Sequence, residues 1–201
     1  MTAILKVDTI QDTSGNNIIN ESSDTITIGA SGDTIALAGT TVTGITQGIT
    51  EADMFRLTAN ISATDADITS NLERVDDASF AKIGNGMSLS SGIFTFPSTG
   101  LYQVTAHCTF QINSADLTAF VGGKVTTNNS SYTDVFLITS GYEGSNSKFE
   151  MDSNSCFVNV TNTSNVKMKF NTSSFASGTL LLGNTGYNRT NFTFIRLGDS
   201  T

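Results

Sequence analysis

One stretch of sequence decides the fold: Ser91–Phe110, which reads SGIFTFPSTGLYQVTAHCTF. After Gly100 the residues alternate between apolar and polar types, which is typical of a β-strand with one buried face. The apolar positions, expected to face a core, are Tyr102, Val104, Ala106, Cys108, Phe110 and Ile112. The polar positions, expected to face solvent or another subunit, are Gln103, Thr105, His107, Thr109 and Gln111. Pro97 and Gly100 predict the tight turn of a hairpin, with Phe94 and Tyr102 pointing into the core.

The rest of the chain from Glu51 to Thr201 predicts more strands of the same kind. Its apolar segments, about nine or ten in number, are short and separated by turn residues, as in an all-β sandwich. Residues 51–53 predict at most a single helical turn. Phe157, Val158, Val160, Met168 and Phe170 are expected to supply partner strands, and Phe192, Phe194 and Ile195 to close the sheet.

The first 50 residues have a different texture, in which short apolar pairs are separated by turns. SDTITIGASGDTIALAG, residues 23–39, contains Asp-Thr-Ile twice. Each copy predicts a short strand with one apolar face, formed by Ile26 and Ile28 in the first copy and by Ile35 and Leu37 in the second. Strands this short are not stable alone. Residues 1–50 are therefore either a thin oligomeric β stalk, in which other chains cover these faces, or a flexible polar arm.

The stretch Ser91–Phe110 resembles the central strands of the C1q/TNF-like jelly roll. Residues standing in that family's Gly-x-Phe-Thr-x-Pro-x-x-Gly-x-Tyr pattern are Gly92, Phe94, Thr95, Pro97, Gly100 and Tyr102. The resemblance covers residues 51–201 and implies an all-β jelly-roll head. Because heads of this family are usually compact trimers, it also implies a homotrimer. His107, on the polar face of its strand, is a further candidate assembly residue, in addition to Ile26, Ile28, Ile35 and Leu37.

The N-terminal stretch ILKVDTIQDTSGNNIINESSDTITIGASGDTI is similar to the starts of tail-fibre and other appendage proteins of marine bacteriophages. That resemblance implies that residues 1–50 attach the protein to other virion proteins, and that residues 51–201 form an exposed head. We therefore expect the protein in the virion. The N-terminus contains no signal-peptide pattern, so we expect synthesis in the host cytoplasm without export.

Composition excludes several classes of function. The 10 Lys and Arg against 18 Asp and Glu leave a formal net charge of -8. A nucleic-acid binder needs a basic footprint, and none is visible here. The same charge disfavours docking on an anionic membrane, and no apolar run is long enough for a transmembrane helix. The two cysteines, Cys108 and Cys156, are expected to be buried free thiols.

Catalytic chemistry finds little support in the residues. His107 is the only histidine, which leaves few ways to build a triad or a zinc site. Candidate carboxylate pairs for glycoside hydrolysis are Asp65 with Asp67, Asp76 with Asp77, and Glu150 with Asp152. Each is better explained as solvated charge. The oxygen-rich Asp65–Asp67 segment could bind Ca²⁺ but lacks EF-hand spacing, so we expect no cofactor and no enzyme activity.

The residues and the two resemblances leave three candidate functions for the protein. The first is a trimeric fibre or spike whose head binds a host cell-surface glycan or protein, with Asn128–Ser131 and Tyr142–Asn146 as candidate recognition loops. The second is capsid decoration or a collar or adaptor role without a receptor. The third, a capsule depolymerase, is the least supported because no poised acid–base pair is evident.

Overall fold

The computed structural model describes residues 9–11, 13–15, 17–22, 25–28, 32, 48–113, 116–144 and 146–201. Every regular element among them is a β-strand, so the predicted all-β class is confirmed. Contacts divide the chain into two compact units, Met1–Thr46 and Gln47–Thr201. The boundary predicted from sequence lies between residues 50 and 51. We call the second unit the head.

The described part of the first unit is an antiparallel sheet of three strands, β1 (Thr9–Gln11), β2 (Asn17–Ser22) and β3 (Thr25–Ile28). Ile10 lies opposite Ile19, and Ile19 lies opposite Ile28. Directly opposed residues share a face, so these isoleucines form a row across the sheet. Ile26 lies two residues from Ile28 on the same face.

All four isoleucines are exposed, with Ile26 at 67% and Ile28 at 52%. This unit therefore presents an uncovered apolar face, and the assembly role of Ile26 and Ile28 stays a prediction. Ile35 and Leu37, the corresponding residues of the second Asp-Thr-Ile copy, lie outside the described residues.

The head contains two antiparallel sheets. Sheet I has the spatial order β12 (Lys148–Val160), β9 (Gly100–Ile112), β15 (Asn191–Gly198), β4 (Ala52–Leu57) and β6 (Leu72–Arg74), with β14 (Leu180–Leu181) also paired with β9. Sheet II has the order β11 (Thr133–Tyr142), β10 (Asp116–Thr126), β13 (Lys167–Ser173), β8 (Ile93–Thr95) and β7 (Ser88–Ser90), with β5 (Ala66–Asp67) also paired with β13.

An aromatic core joins the two sheets. The ring of Phe94, on sheet II, lies 5.0 Å from that of Phe194 and 5.1 Å from that of Phe55, both on sheet I. Phe170 stacks on Phe192 with 3.9 Å between ring centroids. Aromatic pairs of this kind contribute about 0.5–1.5 kcal/mol each beyond their buried area. All six apolar positions predicted for β9 are buried, as the alternation required.

The prediction of a hairpin at Pro97 and Gly100 is wrong. β8 belongs to sheet II and β9 to sheet I, so residues 96–99 carry the chain between sheets. The hairpin lies earlier, between β7 and β8, where Ser90 pairs with Ile93. Its two central residues, Ser91 and Gly92, have φ of 49° and 78°, as a two-residue type I′ turn requires.

Two smaller predictions are also corrected. Residues 51–53 contain no helical turn, because β4 begins at Ala52. Phe157 lies on a partner strand of β9, as predicted, but its side chain does not enter the core: it lies opposite Gln103, on the outward face of sheet I, and is exposed. Its neighbour Val158 lies opposite Tyr102 and is buried with it, so the one-residue difference decides which side chain enters the core.

Substituting Gly92 with alanine should destabilise the head. A Cβ at this position would lie 2.2 Å from the carbonyl oxygen of Ile68, and the positive φ adds a penalty of about 1–2 kcal/mol. The expected loss, measured by denaturant unfolding, is at least about 2 kcal/mol. Gly186→Ala is the control, because its nearest neighbour would be the side-chain oxygen of Asn184 at 3.4 Å. Equal stability of the two variants would contradict the assigned turn.

Candidate subunit interface

The outward face of sheet I brings together side chains from β12, β9, β15 and β4. Its middle is polar and runs along β9, where His107 lies opposite Ser153 on one side and Asn191 on the other. His107 is exposed, as its position on the polar face predicted. A hollow of about 320 Å³ beside it is lined by Met151 and Ser153 among others. His107 is therefore available to a partner, and its assembly role stays a prediction.

One edge of this face is apolar. On β12, Phe149, Met151 and Phe157 are 63%, 76% and 68% exposed. They share the outward face because they lie opposite Gln111, Thr109 and Gln103 of β9. β12 is also the last strand of sheet I, so its outer backbone edge carries no further strand of that sheet. We call Phe149, Met151 and Phe157 the apolar edge.

The opposite side of the same face contains a groove of about 190 Å³. Its floor comes from alternate residues of β4 and β15, and its wall from the segment that follows β6. The lining residues are Ala52, Asp53, Met54, Phe80, Ala81, Ile83, Thr193 and Ile195. The wall is joined to the floor because Ala52 and Ile83 exchange two backbone hydrogen bonds of 3.1 and 2.9 Å. We call this feature the apolar groove.

A buried arginine holds the wall in place. Arg56 lies on β4 opposite Asn191, on the outward face of sheet I, yet it is only 1% exposed. Its guanidinium donates hydrogen bonds to Glu73 at 2.7 Å, Asp76 at 2.6 Å and Asp77 at 2.9 Å. The hydrogen bond that Arg56 donates to Glu73 raises the pKa of Arg56 against the opposing effect of burial. Glu73 lies on β6, and Asp76 and Asp77 follow it, so Arg56 ties the start of the segment after β6 to β4.

A second ion pair fixes the end of that segment. Asp53 is buried and accepts hydrogen bonds from the guanidinium of Arg74 and, at 2.8 Å, from the backbone amide of Met87. Glu51, also buried, accepts a hydrogen bond from the amide of Gly86 at 3.0 Å. These carboxylates are satisfied by fixed donors, as buried charges must be.

The carboxylate pairs considered for catalysis are mostly engaged elsewhere. Asp76 and Asp77 are exposed, as predicted, and in addition they bind Arg56. Asp67 binds Lys169 at 2.6 Å, and Glu150 binds Lys148. Among the described residues, no group of three or more His, Cys, Asp or Glu side chains could hold a metal ion.

Both cysteines are free thiols, as predicted, but the prediction that both are buried holds only for Cys108. Cys108 is fully buried, which raises its pKa far above the usual range. Cys156 is only half-buried, and burial raises its pKa to about 11. Both thiols therefore stay protonated at neutral pH, which makes them poor nucleophiles and poor metal ligands.

The predicted recognition loops differ in how far they can be described. In Asn128–Ser131 the side-chain oxygen of Asn128 accepts hydrogen bonds from the amides of Ser130 and Ser131, at 3.0 and 2.9 Å. That segment is a fixed turn. Residue 145 of the second loop lies outside the described residues.

Sequence reasoning missed Arg56 and the apolar edge. Arg56 carries no local signal, because its three partners come from later in the chain. Phe149 and Met151 alternate with charged residues, which correctly indicates a strand. Only the pairing with β9 shows that the apolar side of this strand faces outward.

Comparisons with known proteins support the fold. A structure of Eiger TNF from S. frugiperda is 14% identical, covers 75% of this chain and 94% of that chain, and has a TM-score of 0.55. A structure of murine APRIL is 13% identical, covers 73% of this chain and 98% of that chain, and has a TM-score of 0.50. No known family model matches the sequence, and no curated protein does. The predicted jelly-roll head is thus confirmed as a fold.

In the described part of the chain, no helix is long and apolar enough to cross a membrane.

Replacing Arg56 with methionine should loosen the wall of the apolar groove. Three charge-assisted hydrogen bonds disappear, while the three carboxylates regain water, so the expected loss of stability is about 2 kcal/mol. Chemical denaturation measures it. Arg189→Met is the control: it removes a contact with the ring of Tyr187, a type of interaction that contributes about 0.5–1 kcal/mol at exposed sites. A neutral Arg56→Met variant would show that the wall holds without this cluster.

Proposed function

We propose that this protein is a non-enzymatic virion appendage whose head assembles into a homotrimer and is presented to the host surface. One observation carries the assembly: a single face of sheet I has the apolar edge on one side and the apolar groove on the other. Each is an exposed apolar feature that a second copy of the chain would cover.

The two features are compatible with a ring. In a two-fold dimer the edge and the groove of one copy would both contact the same partner, whereas in a ring each contacts a different neighbour. In the ring, contact between the edge of one copy and the groove of the next is heterologous. Such contacts form closed rings when the rotation closes. The resemblance at Ser91–Phe110 supports three copies as the closed number.

The central polar strip fits the same arrangement. In a ring built this way, the outward residues of β9, His107 among them, lie between the edge and the groove, toward the inside of the assembly. Thr105 beside it adds a hydroxyl group that hydrogen-bonds readily to water or to a partner, whereas the hydroxyl of Thr109 already donates to the carbonyl oxygen of Arg189 at 2.9 Å. A polar strip of this kind can fix the relative position of the copies through hydrogen bonds without burying a charged group.

The N-terminal unit supplies the attachment to the particle in this proposal. Its row of Ile10, Ile19 and Ile28, with Ile26 beside it, is uncovered, and a three-stranded sheet of this size gains stability from packing against other chains. The similarity of its sequence to phage appendage proteins supports a virion protein as the partner. Attachment in threes would also hold three heads together and raise their avidity.

The mass of the protein in solution tests the assembly. Light scattering or native mass measurement should give three times the chain mass at micromolar concentration. Phe157→Asp places a charge on the apolar edge and should shift the mass to that of one chain, because an unpaired charge is costly to bury. Leu117→Asp is the matched control, since Leu117 is equally exposed but lies on sheet II. A monomeric wild-type protein, or a trimeric Phe157→Asp variant, would refute the proposed contact.

Deletion of residues 1–50 tests the attachment. The head has its own core, so the truncated protein should remain folded by circular dichroism. It should no longer join the particle, as measured by its amount in purified virions. Electron microscopy of virions with labelled full-length protein then locates the head. Full incorporation of the truncated protein would contradict the attachment role, and a head buried among neighbouring proteins would favour a purely structural role.

A further inference from the structure

We propose that the outward face of sheet II carries a carbohydrate-binding cleft, on the side of the head away from the candidate subunit interface. This inference rests on the proposed function, because it names the class of host-surface ligand that the head would take. The cleft has a volume of about 440 Å³. It is lined by Asp65, Phe120, Lys124, Asp134, Leu137, Asn171, Ser173 and Ser174.

The strand register builds the cleft around a glycine. Gly122 of β10 lies opposite Leu137 on β11 and opposite Asn171 on β13. A Cβ at residue 122 would lie 2.6 Å from the side-chain oxygen of Asn171 and 3.3 Å from a methyl group of Leu137. Because Gly122 has no side chain, the side chains of Asn171 and Leu137 can lie flat across β10. The surface is consequently lowered between Phe120 and Lys124.

Asn171 has an unused hydrogen-bonding atom. The residue is only 9% exposed, and its side-chain oxygen has no hydrogen-bond partner. Its amide nitrogen makes one long hydrogen bond, 3.4 Å, to the carbonyl oxygen of Thr172. A buried acceptor without a donor costs about 1–3 kcal/mol. The oxygen is shielded from solvent against Gly122, so a ligand hydroxyl in the cleft would remove this cost once the Asn171 amide turns outward to meet it.

Charged and hydroxyl groups surround Asn171. Lys124 and Asp134 form a loose ion pair with 3.8 Å between nitrogen and oxygen, which leaves both able to bind further groups. Asp65 has a positive φ of 52° and accepts a hydrogen bond from the amide of Ser174 at 3.4 Å. The rim therefore offers both acceptors and donors within one cleft.

Phe120 supplies the apolar part. It lies opposite Ser173 and is half-buried, so one portion of its ring remains available at the cleft. Leu137, which is exposed, faces it from β11. An apolar ring beside an amide, an ammonium and two carboxylates matches a sugar ring, which has apolar C–H faces and hydroxyls around its rim. The two carboxylates disfavour an anionic ligand, and the mixture of charges favours a neutral sugar.

Titration followed by NMR tests the cleft directly. The full chain, labelled at leucine methyl groups and asparagine side-chain amides, is titrated with methyl glycosides of glucose, galactose, mannose and N-acetylglucosamine. At least one glycoside should shift the signals of Leu137 and Asn171. Phe120→Ala should weaken that binding at least tenfold. Gly122→Ala should do the same, because its new methyl group displaces Asn171 and Leu137 without touching the ligand.

Leu117→Ala is the matched control, because Leu117 is an exposed apolar residue of the same strand that does not line the cleft. It should leave binding unchanged. Thermal unfolding checks that each variant is folded. If Phe120→Ala is not folded, Lys124→Met, a change at the rim of the cleft, takes its place. If none of the four glycosides shifts the signals of Leu137 and Asn171, the proposal is overturned. So does binding that persists in both Gly122→Ala and the rim or ring variant.

The mass of the same samples separates this proposal from the assembly. A monomeric chain that binds a glycoside at Asn171 would support the cleft and refute the trimer. A trimeric chain with unchanged Leu137 and Asn171 signals would refute the cleft and leave the assembly standing.

Discussion

The register of β9 with its two neighbours is the constraint on which the rest of the head depends. Side chains alternate strictly along a strand, so pairing β9 with β12 and β15 assigns a face to each residue of all three strands. Tyr102 and Phe110 enter the core together with Val158 and Phe194. A slip of one residue would expose this core and bury the polar strip around His107.

The same register creates the surfaces to which we assign function. It turns Phe157 outward at one edge of sheet I and turns Met54 and Ile195 outward near the other. Arg56 then holds the start of the segment that forms the groove wall, because its guanidinium binds Asp76 and Asp77 as well as Glu73 of β6. The assembly that we propose would therefore depend on polar contacts behind the apolar groove as well as on the apolar residues themselves.

The two sheets divide the proposed functions between them. Sheet I presents apolar features on two sides of a polar strip, which suits contact between copies of the chain. Sheet II presents a polar cleft with an unsatisfied amide at Asn171, which suits a small hydroxyl-rich ligand. Because the core separates the two outward faces, assembly and ligand binding can occur at the same time.

The sequence by itself determined the all-β class and the alternation of β9, because these follow from local periodicity and from turn residues close together in the chain. The jelly-roll head was implied by the family resemblance at Ser91–Phe110. It also indicated the apolar faces of the N-terminal strands and the exposure of His107. Only the tertiary structure decided that the hairpin turns at Ser91 and Gly92, and that Pro97 leads from one sheet to the other. It alone decided that Phe157 faces outward, that Arg56 binds Asp76 and Asp77, and that Asn171 meets Gly122. The physical reason is that strand pairing and burial join residues far apart in sequence, and a single strand's pattern does not reveal which strand lies beside it.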